Sequence, residues 1–280
     1  QLTLSNGFVR LLSIVTMPIM TTLLAPQAYG VASLVGTVIS LVSVFALAGV
    51  DMSYSRAYHS AQPPSGAVVE HFCWRFSILL ALPASLIAAV AWWTSSSDNA
   101  GLGQGMATLL AFGIFFSVLY TMAQTRARLA GRYGAMALTI IAGGVIGPAA
   151  SIGIAIWWRQ DALALLVPTL LSYLIPVVLL GVPSLAALAK PSPLARDQGV
   201  ALVKIGLAGI VTAPMYWLLS SSDRWFLQYY HGAEMVGVYS IGYSVAIVGA
   251  MVNAAVAAVW LPEAAREYEQ DPARAQVTLG

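Results

Sequence analysis

Residues 219–240 read LSSSDRWFLQYYHGAEMVGVYS. An adjacent acid and base, Asp223 and Arg224, stand inside a run that is otherwise fit to cross a membrane. Residues 205–219 upstream are almost wholly apolar, and residues 225–230 downstream are aromatic and apolar. A short turn over 231–235 then leads into a further apolar run, 236–261. The hydrocarbon core of a bilayer is about 30 Å thick and a helix rises about 1.5 Å per residue, so about eighteen apolar residues in a row predict a transmembrane helix. A helix over 211–231 places Asp223 and Arg224 near its middle. An ionisable side chain at that depth costs about 2.5–3.5 kcal/mol, so it requires either a structural contact to a neighbouring helix or a substrate or ion site. From the residues alone both readings stand open.

The rest of the 280-residue chain agrees: 59% of it is hydrophobic, only 9% is charged, and the mean hydropathy is +0.80. Soluble domains carry about 25% charged residues. The composition predicts an all-α integral membrane protein. The net charge of +2 says little by itself, because the placement of charge matters more than its sum. A single cysteine, Cys73, excludes an internal disulfide and a cysteine metal site, and His59, His71 and His231 have no ligand-like spacing. No metal, catalytic or nucleic-acid-binding pattern emerges. The first apolar run lacks a typical cleavage site, so no removable signal is expected.

Eight spans are predicted, over residues 8–24, 29–50, 72–94, 105–124, 135–158, 162–189, 211–231 and 236–261. Arg10, Arg56, Arg75, Arg126, Arg128, Arg132, Lys190, Arg196, Lys204, Arg266 and Arg274 then all fall at one side, with Arg159 alone opposite and Arg224 within the membrane. By the positive-inside rule that side is cytoplasmic, and so is the N-terminus. The loops on the other side are short or polar, with no room for a folded domain. Trp74, Trp92, Trp93, Trp157 and Trp158 near span ends are expected to anchor at the interface. Prolines 18, 83, 148, 168, 176 and 214 fall inside spans and are expected to bend them. The Gly143–Gly144…Gly147 pattern is expected to let helices pack closely.

An internal repeat organises the chain. Residues 25–34, APQAYGVASL, align with 232–241, GAEMVGVYSI, pairing Gly30 with Gly237, Val31 with Val238 and Ser33 with Ser240. Span one thus corresponds to span seven and span two to span eight. Six spans separate the copies, so they share one orientation, as in a parallel repeat about an axis along the membrane normal. The expected organisation is a six-helix N-terminal lobe over 1–189, a cytoplasmic linker over 190–204 with a Pro-x-Pro start, and the first two helices of a second lobe over 205–280. The chain is expected to be a piece of a longer, two-lobe protein of 12–14 helices.

Four stretches carry a family resemblance: LLAPQAYGVASLV at 23–35, LAGVDMSYSRAY at 47–58, SSSDRWFLQYYHGAEMVGVYSIGY at 220–243 and AVWLPEA at 258–264. In order and spacing the chain resembles the Wzx-type polysaccharide-biosynthesis flippases, within the superfamily that also holds the MATE exporters and lipid II flippases. The resemblance implies two six-helix lobes around a central cavity and alternating access. It implies transport of a polyprenyl-pyrophosphate-linked oligosaccharide from the inner to the outer leaflet of the bacterial inner membrane. It also implies no catalytic residue and no nucleotide hydrolysis; other membrane proteins of polysaccharide assembly are conceivable partners besides the lipid itself.

Within that frame Arg224 is the foremost candidate, because a planar guanidinium stays charged and grips phosphate oxygens bidentately. Neighbours on one helix lie about 100° apart, so Asp223 and Arg224 do not face each other. Asp223 is a counter-ion to Arg224 or the carrier of a coupling proton or sodium ion. Arg10 and Arg75, a turn inside spans one and three, either receive the headgroup at the cavity mouth or snorkel to lipid phosphates. Asp51 and Arg56 are expected to pair and cap the end of span two. Two other readings compete: a MATE-like exporter of cationic drugs, which favours acidic and aromatic cavity residues over arginine, and a multi-spanning polymerase, which needs a large external loop that is missing here.

Overall fold

The computed structural model describes residues 2–60, 64–95, 104–184, 188, 190 and 194–270, with the backbone alone for residues 3, 4, 104, 208, 209, 211, 247, 248 and 250–270. Its helices are α1 (Leu2–Leu23), α2 (Pro26–Leu47), α3 (Val50–Ala57), α4 (Ala67–Ser95), α5 (Gln104–Leu129), α6 (Tyr133–Trp157), α7 (Leu163–Leu180) and α8 (Arg196–Gln270). No strand occurs among the described residues. All but the short α3 are long and apolar enough to cross a membrane. The protein is an all-α, multi-pass membrane protein. With no water in the bilayer core, a helix is the one open segment that satisfies its own backbone.

α1, α2 and α4–α7 answer to the first six expected spans. The seventh and eighth are the two arms of α8, which meet at Gly232. There φ is 80° and ψ is 177°, a conformation essentially confined to glycine. One residue therefore does what the sequence assigns to a five-residue turn. The prolines interrupt none of these helices. Two boundaries differ from expectation. The sixth span ends at Leu180 and not at 189, because Gly181 takes a φ of 84° and Pro183 follows. α8 starts at Arg196, so the second half of the expected linker is already part of the next span.

The chain divides into two compact units, Gln1–Gly237 and Val238–Gly280. In the second, described to Gln270, the Tyr239 and Tyr243 rings lie 6.1 Å apart across one helical turn. In the first, α5 is central, packing on α4, α7 and α2, while α6 packs on α7 and α1. Small residues set these distances: Gly144 of α6 sits against Val9 of α1, and Gly143 and Gly147 face Ser172 and Pro168 of α7. The expected packing role of that glycine pattern holds.

Hydrocarbon gives helices no reason to hide apolar faces from one another, so packing and interhelical hydrogen bonds hold such a bundle together. Leu86, Ile87, Leu138, Val178 and Leu219 accordingly point outward. Ser117 donates to Ser43 at 2.9 Å between α5 and α2, and Ser151 of α6 donates to the Ala164 carbonyl of α7 at 2.7 Å. Trp93, Trp157 and Trp158 are exposed near helix ends, as interface anchors should be. Trp74 departs from that expectation. It is fully buried in a core with Tyr54, Val69 and Met122, because α3 folds back over the start of α4.

Candidate functional site

The first arm of α8 lies antiparallel on α2, and three contacts fix the register. At one end Gly206 meets Gly49, just past the end of α2, backbone on backbone. Near the middle, Trp217 Nε1 donates to the Thr37 carbonyl at 2.8 Å, and Trp225 Nε1 donates to Thr37 Oγ1 at 3.1 Å. At the other end Gly237, just past the break, meets Gly30. A Cβ on Gly30 would strike the Ala233 backbone and the Gly237 nitrogen, and one on Gly237 would strike the Pro26 backbone and the Gly30 nitrogen. Ala233 and Pro26 each precede their glycine by four residues. The contact is reciprocal, and the two glycines that the sequence alignment pairs stand against each other.

The register decides which way the charged pair faces. Trp217, Ser221, Arg224, Trp225 and Gln228 fall at i, i+4, i+7, i+8 and i+11, one stripe of a 3.6-residue helix. Trp217 and Trp225 place that stripe on α2, and Ser221 between them is 7% exposed. Arg224 therefore faces α2, half-buried, with its Nε buried. Asp223 lies roughly 100° round the helix, off the stripe, and its Oδ1 accepts the Arg224 backbone N–H at 2.9 Å. Each of the two residues has a further interaction. The register puts both close to the level of Thr37, itself near the middle of α2.

The other candidates are scattered. Arg10 is exposed on α1, beside the Val9 that packs on α6. Arg75 is half-buried on α4, where Nη1 donates to the Leu188 carbonyl at 3.2 Å and also to the Lys190 carbonyl, tying down the chain after α7. Asp51 and Arg56 do not form the expected ion pair. Five residues apart on one helix, they point roughly 140° apart, and Ser55 Oγ bonds the Asp51 carbonyl instead. Ion pairs do form elsewhere, Arg126–Glu70 at 2.9 Å and Arg159–Asp161 at 3.1 Å. No group of three metal-ligating side chains occurs among the described residues, and Cys73 is buried and unbridged.

Two features escape the sequence reading. Glu70, in the first turn of α4, is held by Arg126 near the end of α5, and the buried Tyr54 stands beside them. Burial first, and the Glu70 carboxylate second, push the Tyr54 hydroxyl well above its ordinary pKa. The signal that could have found this pair is an acid at the mouth of an apolar helix. The second is Thr37, which carries no signal at all, being one of several hydroxyls along α2.

Comparison with known families gives one match. The family model described as "Polysaccharide biosynthesis protein" matches residues 8–279. The chain belongs to this family. No match was found among curated proteins or among solved structures. In a membrane protein of polysaccharide biosynthesis, the chemistry a seam like this can perform is recognition: a guanidinium in a low-dielectric setting binds phosphate oxygens more strongly than one in water.

Proposed function

We propose that the protein moves a polyprenyl-pyrophosphate-linked oligosaccharide from the inner to the outer leaflet of a bacterial inner membrane by alternating access. In this reading the N-terminus is cytoplasmic, because the helix ends bearing Arg56, Arg126, Arg128, Arg132 and Arg196 then face the cytoplasm. The protein catalyses no bond cleavage. Arg224 meets the pyrophosphate as it crosses, and Asp223 balances that charge or carries a coupling proton or sodium ion.

The observation that carries the reading is a half-buried arginine inside a helix long and apolar enough to cross a membrane, on the face of α8 that lies against α2, in a family of polysaccharide biosynthesis. Charge inside such a helix is expensive and marks a pathway by default. An exporter of cationic drugs is disfavoured, since Arg224 occupies the inward stripe while Asp223 lies off it. A polymerase is disfavoured by the brevity of the connections opposite the basic ends.

The test is reconstitution of the full-length protein in liposomes with a fluorescent polyprenyl-pyrophosphate oligosaccharide, following headgroup access to an external reagent. A hydrogen bond to a charged group contributes about 1.5–3 kcal/mol, so Arg224→Ala is expected to slow transfer roughly 10- to 100-fold and Arg224→Lys to fall between. Wild-type protein that moves no headgroup under any ion gradient removes the substrate class. Normal transfer by folded Arg224→Ala removes Arg224 from the path.

A further inference from the structure

Thr37 of α2 is 3% exposed, and its polar atoms are crowded with partners. Its hydroxyl donates to the Leu34 carbonyl at 2.7 Å and accepts Trp225 Nε1 at 3.1 Å. Its carbonyl accepts Ser40 Oγ at 2.8 Å and Trp217 Nε1 at 2.8 Å. The two indoles come from positions eight residues apart on α8, or roughly 12 Å along the axis, and converge on one residue. Both indoles end on Thr37, one on its carbonyl and one on its hydroxyl. Two fixed points on one face determine both the height and the rotation of the segment between them. That segment runs directly into the peptide bond joining Trp225 to Arg224.

We infer that Thr37 is the positioning residue of the transport site: through Trp225 it sets the azimuth at which Arg224 meets the anionic headgroup. The inference rests on the proposed role of Arg224. The physical reason is the poverty of alternatives. An indole N–H that loses its acceptor within a membrane-spanning helix has few groups to replace it, so the turn bearing Trp225 shifts toward another partner. A turn of one residue's worth, roughly 100°, would carry Arg224 off the inward stripe. Ser40 and Ser220, by contrast, donate to carbonyls three residues earlier in their own helices.

The experiment uses the full-length protein in liposomes with four substitutions. Thr37→Val keeps the shape and removes the acceptor; Thr37→Ser restores it; Trp225→Phe keeps the ring and removes the donor; Arg224→Ala removes the positioned group. Thr37→Val and Trp225→Phe are each expected to slow headgroup transfer at least fivefold, with Thr37→Ser within twofold of wild type. In the Arg224→Ala background, Thr37→Val should change transfer less than twofold, because a positioning residue has nothing left to position. Effects that multiply in the double variant, or a failure of serine to rescue, overturn the inference. A second readout needs no substrate. With Arg224→Cys, the rate of maleimide labelling should shift at least threefold on adding Thr37→Val or Trp225→Phe, and stay put with Thr37→Ser. An unchanged rate overturns the inference even if Arg224 proves essential. A shifted rate with normal transfer by Arg224→Ala keeps the clamp and discards the headgroup role.

Discussion

The helix ends on the basic side and the middle of the α2–α8 seam use polar side chains in opposite ways. At the basic ends, charge is spent on the chain itself. Arg126 holds Glu70, Arg75 reaches the carbonyls of Leu188 and Lys190, and Arg132 Nη1 donates to the Leu180 carbonyl at 3.1 Å. Each of these cations ties one helix end to another segment. In the middle of the seam neutral groups tie the helices: two indoles, a threonine hydroxyl and one carbonyl. There the charged side chain, Arg224, shares its stripe with those neutral clamps. The difference follows from where water is. At a helix end a charge stays partly hydrated, and its structural use costs little; at mid-membrane a charge is costly and a neutral hydrogen bond is the cheaper fastener. A charge at that position needs a reason, and the proposed headgroup contact supplies one.

The comparison breaks first if the seam can be pried open without harm. Gly30→Ala and Gly237→Ala each place a methyl on the other helix's backbone, which cannot yield as a flexible side chain can. Overpacking of this kind costs about 1–3 kcal/mol and more where backbone must move. Either variant is expected to lower the detergent melting temperature by several degrees, whereas Gly7→Ala, with open space around it, should leave it unchanged. Equal melting of all three would mean that the helices do not close on each other at this point.

Next in size is the pair at the basic end. Glu70 is 15% exposed and Arg126 35%, so the pair sits between an exposed one, worth about 0–1 kcal/mol, and a buried one, whose rupture costs about 3–5 kcal/mol. Glu70→Gln or Arg126→Gln is expected to destabilise by about 1–3 kcal/mol, and the double variant by much less than the sum. Headgroup transfer per folded molecule should stay within twofold of wild type in each. A large loss of transfer with unchanged stability would move this pair from the scaffold into the transport path.

How much of this was legible in the sequence follows from the same physics. Apolar runs announce membrane helices because length and hydropathy alone decide them, so the six spans before α8 and the two around Gly232 could all be read. The two glycines that the sequence alignment pairs, Gly30 and Gly237, are neighbours in space. Helix ends were less legible: Gly181 and Pro183 cut the sixth span short, and Trp74 looked like an interface anchor until α3 folded over it. At the site, residue type pointed to Arg224 and Asp223, while the face they present depended on the register of α8 against α2. That register is fixed by Thr37, Trp217 and Trp225, partners some 180 residues apart whose pairing no local pattern encodes.

Smaller still is the effect expected at Arg75. Its hydrogen bonds to two backbone carbonyls are partly hydrated, so Arg75→Ala is expected to cost about 1 kcal/mol and to loosen the chain after α7. Limited proteolysis between α7 and α8 should speed up accordingly, while Arg75→Lys restores part of the protection.

The smallest expected effect is the most informative about the division between ends and seam. Arg10 is exposed on α1 and pairs with no acid among the described residues, so Arg10→Ala should change the melting temperature by less than a degree or so, as surface substitutions do. Its effect on headgroup transfer then isolates function from stability. A guanidinium that merely snorkels to lipid phosphates is replaced by lysine without loss, because both heads reach the same layer on long apolar stems. One that receives a pyrophosphate bidentately is not, because a lysine ammonium cannot offer two parallel donors. Arg10→Lys and Arg10→Ala measured side by side therefore separate the two: equal, near-normal transfer by both leaves Arg224 as the sole candidate headgroup contact among the arginines tested, and a loss in both adds α1 to the path.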